Sequence, residues 1–398
     1  MTATPARWRS VARVTFALVC AAWWLQKLGW AQPVGQWDFR VYYFGAQAWR
    51  AGLNPYDPAV LPPDLAGQGL RFSYPPYALA LFAPFAVLSV VRATQLFIVL
   101  KVAALAWLVT LWSRRLRVRV SDPVWVLFLL FAYSSAVFVD AISGSITTFE
   151  QVLVWLGVAA LLSGRPWRFT AAVVFASLFR MTPIALLAVC LAYGRRGFRY
   201  VASGVAALVA VLAITYVAAP TLTLGFVRSI QANVSGERGW LNPSAMQLAI
   251  DLSAAAGRAL HTTAPAALSA LVYLAIVVAI TAPTVVTIHA LRRSPESDYL
   301  EPAVYLAILA IALVLPRLKN YSYILLIVPT YYIATRSVRL RRAVPLLVVA
   351  CLPVYSWIAS PDHLALVADY SKWLIALGAW GLFVYELQDR EQGTLRLA

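Results

Sequence analysis

Apolar runs recur along nearly the whole chain, separated by short gaps that carry arginines or Pro/Gly pairs, a pattern of repeated membrane segments. Val11 to Trp30 is the first, and Arg7, Arg9 and Arg13 at its start place the N-terminus in the cytoplasm. Tyr77 to Val91 is short for a crossing and contains Pro84, whereas Ala93 to Trp112 spans comfortably and ends in Arg114, Arg115, Arg117 and Arg119. If both crossed, that basic cluster would lie outside, against the positive-inside tendency. One of the two is therefore expected to be re-entrant or broken. Irregular backbone at membrane depth needs cover from protein or a water-filled cavity, so the conflict points to a cavity beside the first loop. Phe169 to Tyr193 has arginines at both ends and Arg180-Met181-Thr182-Pro183 in its middle, which predicts a hairpin tipped near Arg180. Val124 to Val139, Val152 to Leu162, Val201 to Ala218, Ala266 to Leu291, Ala303 to Leu315, Ile324 to Thr335, Pro345 to Ile358 and Trp373 to Tyr385 complete the set.

The expected fold class is an all-α polytopic membrane protein, with roughly 10–13 membrane helices including re-entrant or broken ones. One integral membrane domain covers residues 1–398, with external loops at 32–74 and 219–265. Composition agrees: of 398 residues 62% are hydrophobic and 12% charged, against roughly 25% charged in soluble domains. The net charge of +17 sits in short arginine clusters between apolar runs, so it reads as topology and not as nucleic-acid binding. The three cysteines all fall inside apolar runs and read as core side chains.

Candidate chemistry gathers in the first loop. From Gln36 to Arg50, Arg40, Gln47 and Arg50 share one helical face and Val41, Phe44 and Ala48 the other, predicting a helix lying flat at the lipid–water boundary. It would hold a lone carboxylate, Asp38, among aromatics; Asp is also a favoured helix cap, and the two roles are compatible. Two external cations, Arg317 and Lys319, break the positive-inside pattern. A phosphate at headgroup level would explain them, as would ordinary lipid contacts or a salt bridge across loops. Arg180, inside the membrane, is either functional or half of a structural pair. The aromatics Trp37, Tyr42, Tyr56 and Tyr74 serve as interfacial belt or as stacking surfaces for sugar, and Glu237 and Asn242 lie where an acceptor would bind.

Asp38, then Ala46-Gln47-Ala48-Trp49 before Gly52-Leu53-Asn54-Pro55-Tyr56, then Phe72-Ser73-Tyr74-Pro75-Pro76, resemble glycosyltransferase family 87, the polyprenyl-phosphate-mannose-dependent mannosyltransferases of the GT-C superfamily. The resemblance continues more weakly through Gly144-Ser145, Arg180-Met181-Thr182-Pro183 and Asn242-Pro243-Ser244, where the family tends to have Gly-Gln, Lys and Asn-Gln-Ser. It implies a GT-C fold in the cell membrane, with an active site on the external face. A sugar would pass from a polyprenyl-phosphate donor to a glycolipid or glycan acceptor, with the first-loop Asp, here Asp38, as general base. Inversion follows from a single displacement. The leaving phosphate needs no acid catalyst, and Arg317, Lys319 and Arg180 are the candidates to hold it. Nothing in the sequence requires a metal or other cofactor, since there is no Asp-x-Asp and no His/Cys cluster near the loop. Rival readings are a lipid-linked-sugar flippase or transporter, against which the lack of an internal repeat counts, and transfer of a phosphate-bearing headgroup.

Overall fold

The computed structural model describes residues 15, 25–30, 35–237, 239–262, 266–293, 295–336, 340–352 and 362–396. The expected first span, Val11 to Trp30, falls almost wholly outside these residues, as does the second half of the span expected from Pro345 to Ile358. All regular structure among the described residues is helical.

Helix α1, Trp37–Arg50, is the amphipathic helix expected in the first loop. It buries Phe39, Val41, Tyr42, Tyr43 and Ala46 and leaves Gln47, Trp49 and Arg50 exposed, as its two-faced sequence dictates. Arg40 reaches Asp64 at 2.7 Å and ties the helix to the loop that follows. Helix α2, Pro76–Phe82, begins on the proline pair, with Pro76 in the first turn, where a missing N–H costs nothing. It ends after seven residues, a short 3-10 turn Phe85–Val87 follows, and only then does the long helix α3, Val90–Leu116, begin. The segment before α3 is thus the broken one.

Helix α4, Pro123–Ser143, is capped by Asp122, whose carboxylate accepts from the amides of Val124 and Trp125. It is interrupted where Tyr133, Ser134 and Ser135 take left-handed backbone angles. Helices α5, Thr147–Leu162, and α6, Pro166–Phe179, pack closely together. At Arg180 the backbone is extended, and the 3-10 helix Thr182–Arg196 runs back against α6. A second reversal at Gly194, φ +70°, leads into α7, Gly197–Ala218. Gly204 lies so close to Leu187 that a Cβ there would meet its Cδ1 at 2.5 Å, the signature of two segments side by side.

The segment 219–265 is mostly helical and not an open loop, with α8, Pro220–Gly236, and α9, Ala245–Ala259. Helix α9 is amphipathic and buries Gln247, Leu248 and Ala249. After it come α10, Ala266–Leu291, α11, Glu296–Val314, a 3-10 helix Asn320–Leu326, α12, Ile327–Arg336, α13, Leu340–Cys351, α14, Asp362–Asp369, and α15, Ser371–Arg396. Among the described residues, four stretches are long and apolar enough to cross a bilayer: Val90–Leu116, Pro123–Ser143, Thr182–Ala218, which folds back at Gly194, and Ala266–Leu291. Thr147–Leu162, Pro166–Phe179 and Tyr299–Val314 are shorter apolar helices. A large apolar core joins α3–α6 to α11–α15, and a smaller aromatic one, with Phe39, Tyr42, Phe72, Phe82 and Phe97, lies under α1.

Candidate active site

A cavity of about 640 Å³ draws its walls from α1, the loop 68–74, the end of α4, Arg180, the turn after α8, the segment 317–321 and the α14–α15 junction. Five basic side chains (Arg71, Arg180, Arg317, Lys319, Lys372) and three carboxylates (Asp38, Glu237, Asp369) line it among the described residues.

Asp38 sits in the first turn of α1, one residue past the helix start. It is not the cap: that position is Gln36, left-handed at φ +54° and without a side-chain capping bond. The reason is a competing demand on Gln36. Its backbone N–H donates to Ile142 O at 2.8 Å and its Nε2 to Ala141 O at 2.7 Å, so the helix start is fixed against the end of α4. Gly144, φ +71°, makes room for this contact, since a Cβ there would lie 2.7 Å from Gln36 Oε1 and 2.9 Å from Phe39 Cβ. Asp38 is only 8% exposed, and its Oδ2 accepts no hydrogen bond among the described residues. Val41 and Tyr42, three and four residues on, share its face and also line the cavity.

Arg180 is at the centre of a polar network. Its guanidinium donates to Thr147 Oγ1 at 3.1 Å, to Tyr74 Oη and Ser145 Oγ at 3.3 Å and to Ser322 Oγ at 3.4 Å, with Glu150 Oε2 at 3.9 Å. Tyr74 Oη in turn pairs with Tyr42 Oη at 2.6 Å, which links the arginine to the face of α1 that carries Asp38. The arginine also lies over the ring of Tyr321 at 5.3 Å.

Arg317 and Lys319 share one carboxylate: Glu237 meets Arg317 Nη2 at 2.6 Å and Lys319 Nζ at 2.9 Å. Burial alone would raise the Glu237 carboxyl, but Lys319 and then Arg317 outweigh it and hold the group below the ordinary glutamate range. Asn242 does not face the cavity. It is buried, and its Oδ1 accepts from the amide of Leu318 at 2.9 Å. Ser244 Oγ donates to Pro316 O at 2.8 Å and Tyr323 Oη to Pro243 O at 2.5 Å. Asn242-Pro243-Ser244 is thus a clamp on the strand of chain that presents Arg317 and Lys319. Tyr56 is also away from the cavity wall. Its hydroxyl donates to Tyr74 O at 2.8 Å and its ring packs on Phe72 and Phe226, so it holds Tyr74 in place. Of the ten residues singled out from the sequence, the structure brings Trp37, Asp38, Tyr42, Tyr74, Arg180, Glu237, Arg317 and Lys319 to one cavity and leaves Tyr56 and Asn242 behind its walls.

The sequence reading missed Lys101 and Lys372. Lys101 is a buried ammonium in α3 that meets Asp140 Oδ2 at 3.0 Å and donates to the carbonyls of Asp140 at 2.5 Å and Ser145 at 2.6 Å. It closes the α4–α5 turn on which both Gln36 and Arg180 rest. A charge in the middle of the apolar run Ala93 to Trp112 was the signal available. Lys372 lines the cavity, buried, at the very edge of the apolar run that starts at Trp373, and there the sequence gives little to distinguish it from an interfacial lysine.

Helices and cavity together define a polytopic membrane protein with a charged, aromatic-walled chamber. The chain belongs to glycosyltransferase family 87, whose family model matches residues 72–316, more than half of its length; it is a membrane glycosyltransferase. The match takes in Tyr74, Arg180, Glu237 and Asn242 and stops short of Asp38, Arg317 and Lys319. No curated protein sequence matches the chain.

Proposed function

We propose that this glycosyltransferase moves a sugar, mannose on the family resemblance, from a polyprenyl-phosphate donor to a hydroxyl of a glycolipid or glycan at the outer face of the cell membrane. The observation that carries the reading is the Asp38 carboxylate: buried, without a hydrogen-bond partner among the described residues, and facing a cavity lined by cations. Asp38 takes the proton of the acceptor hydroxyl as its oxygen attacks the anomeric carbon. The bond from that carbon to the phosphate oxygen breaks on the opposite side, its electron pair stays on the phosphate, and the anomeric centre inverts. Arg317, Lys319 and Arg180 supply positive charge for the phosphate that leaves. A buried carboxylate oxygen without a partner among the described residues, on the wall of a cavity, fits a group reserved for substrate.

Asp38→Asn tests this in purified protein supplied with polyprenyl-phosphate mannose. Asp38 makes no capping bond, so the variant should fold and melt like the parent. Release of polyprenyl phosphate should fall by roughly 10²–10⁴-fold, as for a lost general base. Near-parental turnover in a folded Asp38→Asn protein would remove Asp38 from the chemistry.

A further inference from the structure

A second cavity shares no residue with the candidate active site. It measures about 280 Å³ and is lined by Leu111, Arg114, Arg115 and Arg117 at the end of α3, Glu301 of α11 and Arg336 in the last turn of α12. Arginines at cytoplasmic helix ends are what topology alone predicts. Topology does not require four of them, from segments far apart in the chain, to converge on one cavity. Glu301 is the one carboxylate of the lining, and it is already engaged: Arg115 Nη2 lies 2.8 Å from its Oε1, and Tyr305 Oη donates to it at 3.1 Å. Asp122, further along the loop after α3, caps α4 and does not line the cavity. Arg114, Arg117 and Arg336 are thus left without a carboxylate at ion-pair distance among the described residues. A guanidinium keeps its charge at every physiological pH, so four against one carboxylate leaves a surplus of three that only an anion from outside the chain can offset.

Two features of the backbone and the rings hold these side chains in place. Arg117 ends α3 at φ +57°, with its amide donating to Arg114 O at 3.3 Å and that of Val118 to Ser113 O at 3.0 Å. Glycine is the usual residue at such a turn, so an arginine is kept there at a cost in backbone strain, and a ligand for its side chain accounts for the cost. Arg336 lies over the ring of Tyr332 at 4.8 Å, and Tyr332 packs edge-on against Tyr305. The form of the anion follows from α3 itself. Leu100, Ala103, Trp107, Leu111 and Arg114 succeed one another at spacings of three or four, so they share one face, and Leu100, Ala103 and Trp107 on it are exposed. From Leu100 to Leu111 this apolar track is about 16 Å long, close to the ~15 Å hydrocarbon depth of one leaflet.

We propose that this cavity binds the phosphate headgroup of an anionic membrane lipid, with an acyl chain along the Leu100–Leu111 face of α3 and the phosphate oxygens held by Arg114, Arg117 and Arg336. The bound headgroup ties the end of α3 to the end of α12. The site is separate from sugar transfer and does not depend on the identity of the donor.

The test counts retained lipid by native mass spectrometry on purified full-length protein in a neutral detergent, titrated with phosphatidylglycerol, with zwitterionic phosphatidylcholine, or with glycerol phosphate, which has the headgroup charge and no chains. The parent should bind phosphatidylglycerol about tenfold or more tightly than phosphatidylcholine. Arg117→Gly combined with Arg336→Gln removes two of the free guanidiniums and suits the left-handed turn; it should lose most of that preference. Arg165→Gln combined with Arg168→Gln removes two exposed arginines of another basic turn, outside this cavity, and should keep it. Equal affinity of the parent for the two lipids overturns the site. So does an equal loss of preference in both double variants, which would mean diffuse attraction between a basic protein and an anionic lipid. Glycerol phosphate binding as tightly as phosphatidylglycerol would make the site one for a soluble anion and overturn the lipid assignment.

Discussion

At the scale of single residues, the cavity depends on one glutamate serving two cations. Removing Arg317 or Lys319 alone leaves Glu237 with a partner, whereas removing both strands a largely buried carboxylate, so the double variant should lose more stability than the two singles added. The same arrangement fixes a pH response. The carboxyl of Glu237 is held below its ordinary range, so its stabilisation is fully present above the unfolded value of about 4.3 and is lost as pH falls through the lower folded value. Melting temperatures of the parent and of Glu237→Gln should differ most at pH 6–7 and converge below about pH 4.3. A gap that does not change with pH would mean that the pairing adds nothing to stability. Glu237 was noticed in the sequence only for its location. A salt bridge across loops was one of the readings open for Arg317 and Lys319, and the structure shows one; that Glu237 is its carboxylate was illegible, because nothing in linear spacing couples the turn after α8 to the segment after α11.

At the scale of elements, the organising feature is the α4–α5 turn, which takes Lys101 from α3, Gln36 from the start of α1 and Arg180 from the break after α6. Lys101→Met should cost about 3–5 kcal/mol by leaving Asp140 buried and unpaired. Adding Asp140→Leu removes the stranded charge and should recover most of that stability. Sugar transfer should stay impaired in the double variant, because the carbonyls of Asp140 and Ser145 still lack the ammonium that fixes the turn. Parental turnover in the stable double variant would show that the pair holds the fold without setting the site. Much at this scale was readable in the sequence: the amphipathic first-loop helix, the broken segment ahead of α3 and the reversal at Arg180 all follow from amphipathic spacing, prolines and the sign of flanking charge. In the sequence 219–265 reads only as an external loop, although α9 is amphipathic over 15 residues and packs against α10.

For the whole molecule, the cavity and the arginine cluster at the end of α3 lie toward opposite ends of a 27-residue helix, about 40 Å long at 1.5 Å per residue. The membrane lies between them on the proposed topology. Asn242 and Asn320 are buried and poor sites for a label, but Gln68 and Arg114 are exposed. A membrane-impermeant thiol reagent on intact cells should modify Gln68→Cys and should reach Arg114→Cys only after permeabilisation. The reverse pattern would put the cavity on the cytoplasmic side and exclude an outer-leaflet donor. The polytopic class was evident from hydropathy alone, whereas the cavity, assembled from segments remote in sequence, could be anticipated only as the cover that a broken helix demands.

That assembly has a consequence for biosynthesis. Asp38 belongs to helix α1 and Lys372 to the last helix, α15, so about 330 residues are made between them, about 17–67 s at ordinary synthesis rates. Once α4 is made, α1 has α3, α4 and the aromatics beneath it to rest on, while the wall that completes the chamber does not yet exist. A nascent chain therefore carries its reactive carboxylate from the outset but gains the cations that give it something to act upon only near the end of translation. Premature termination before Ser371 would yield a protein with an intact first loop and no closed chamber, inert by construction rather than by loss of its base.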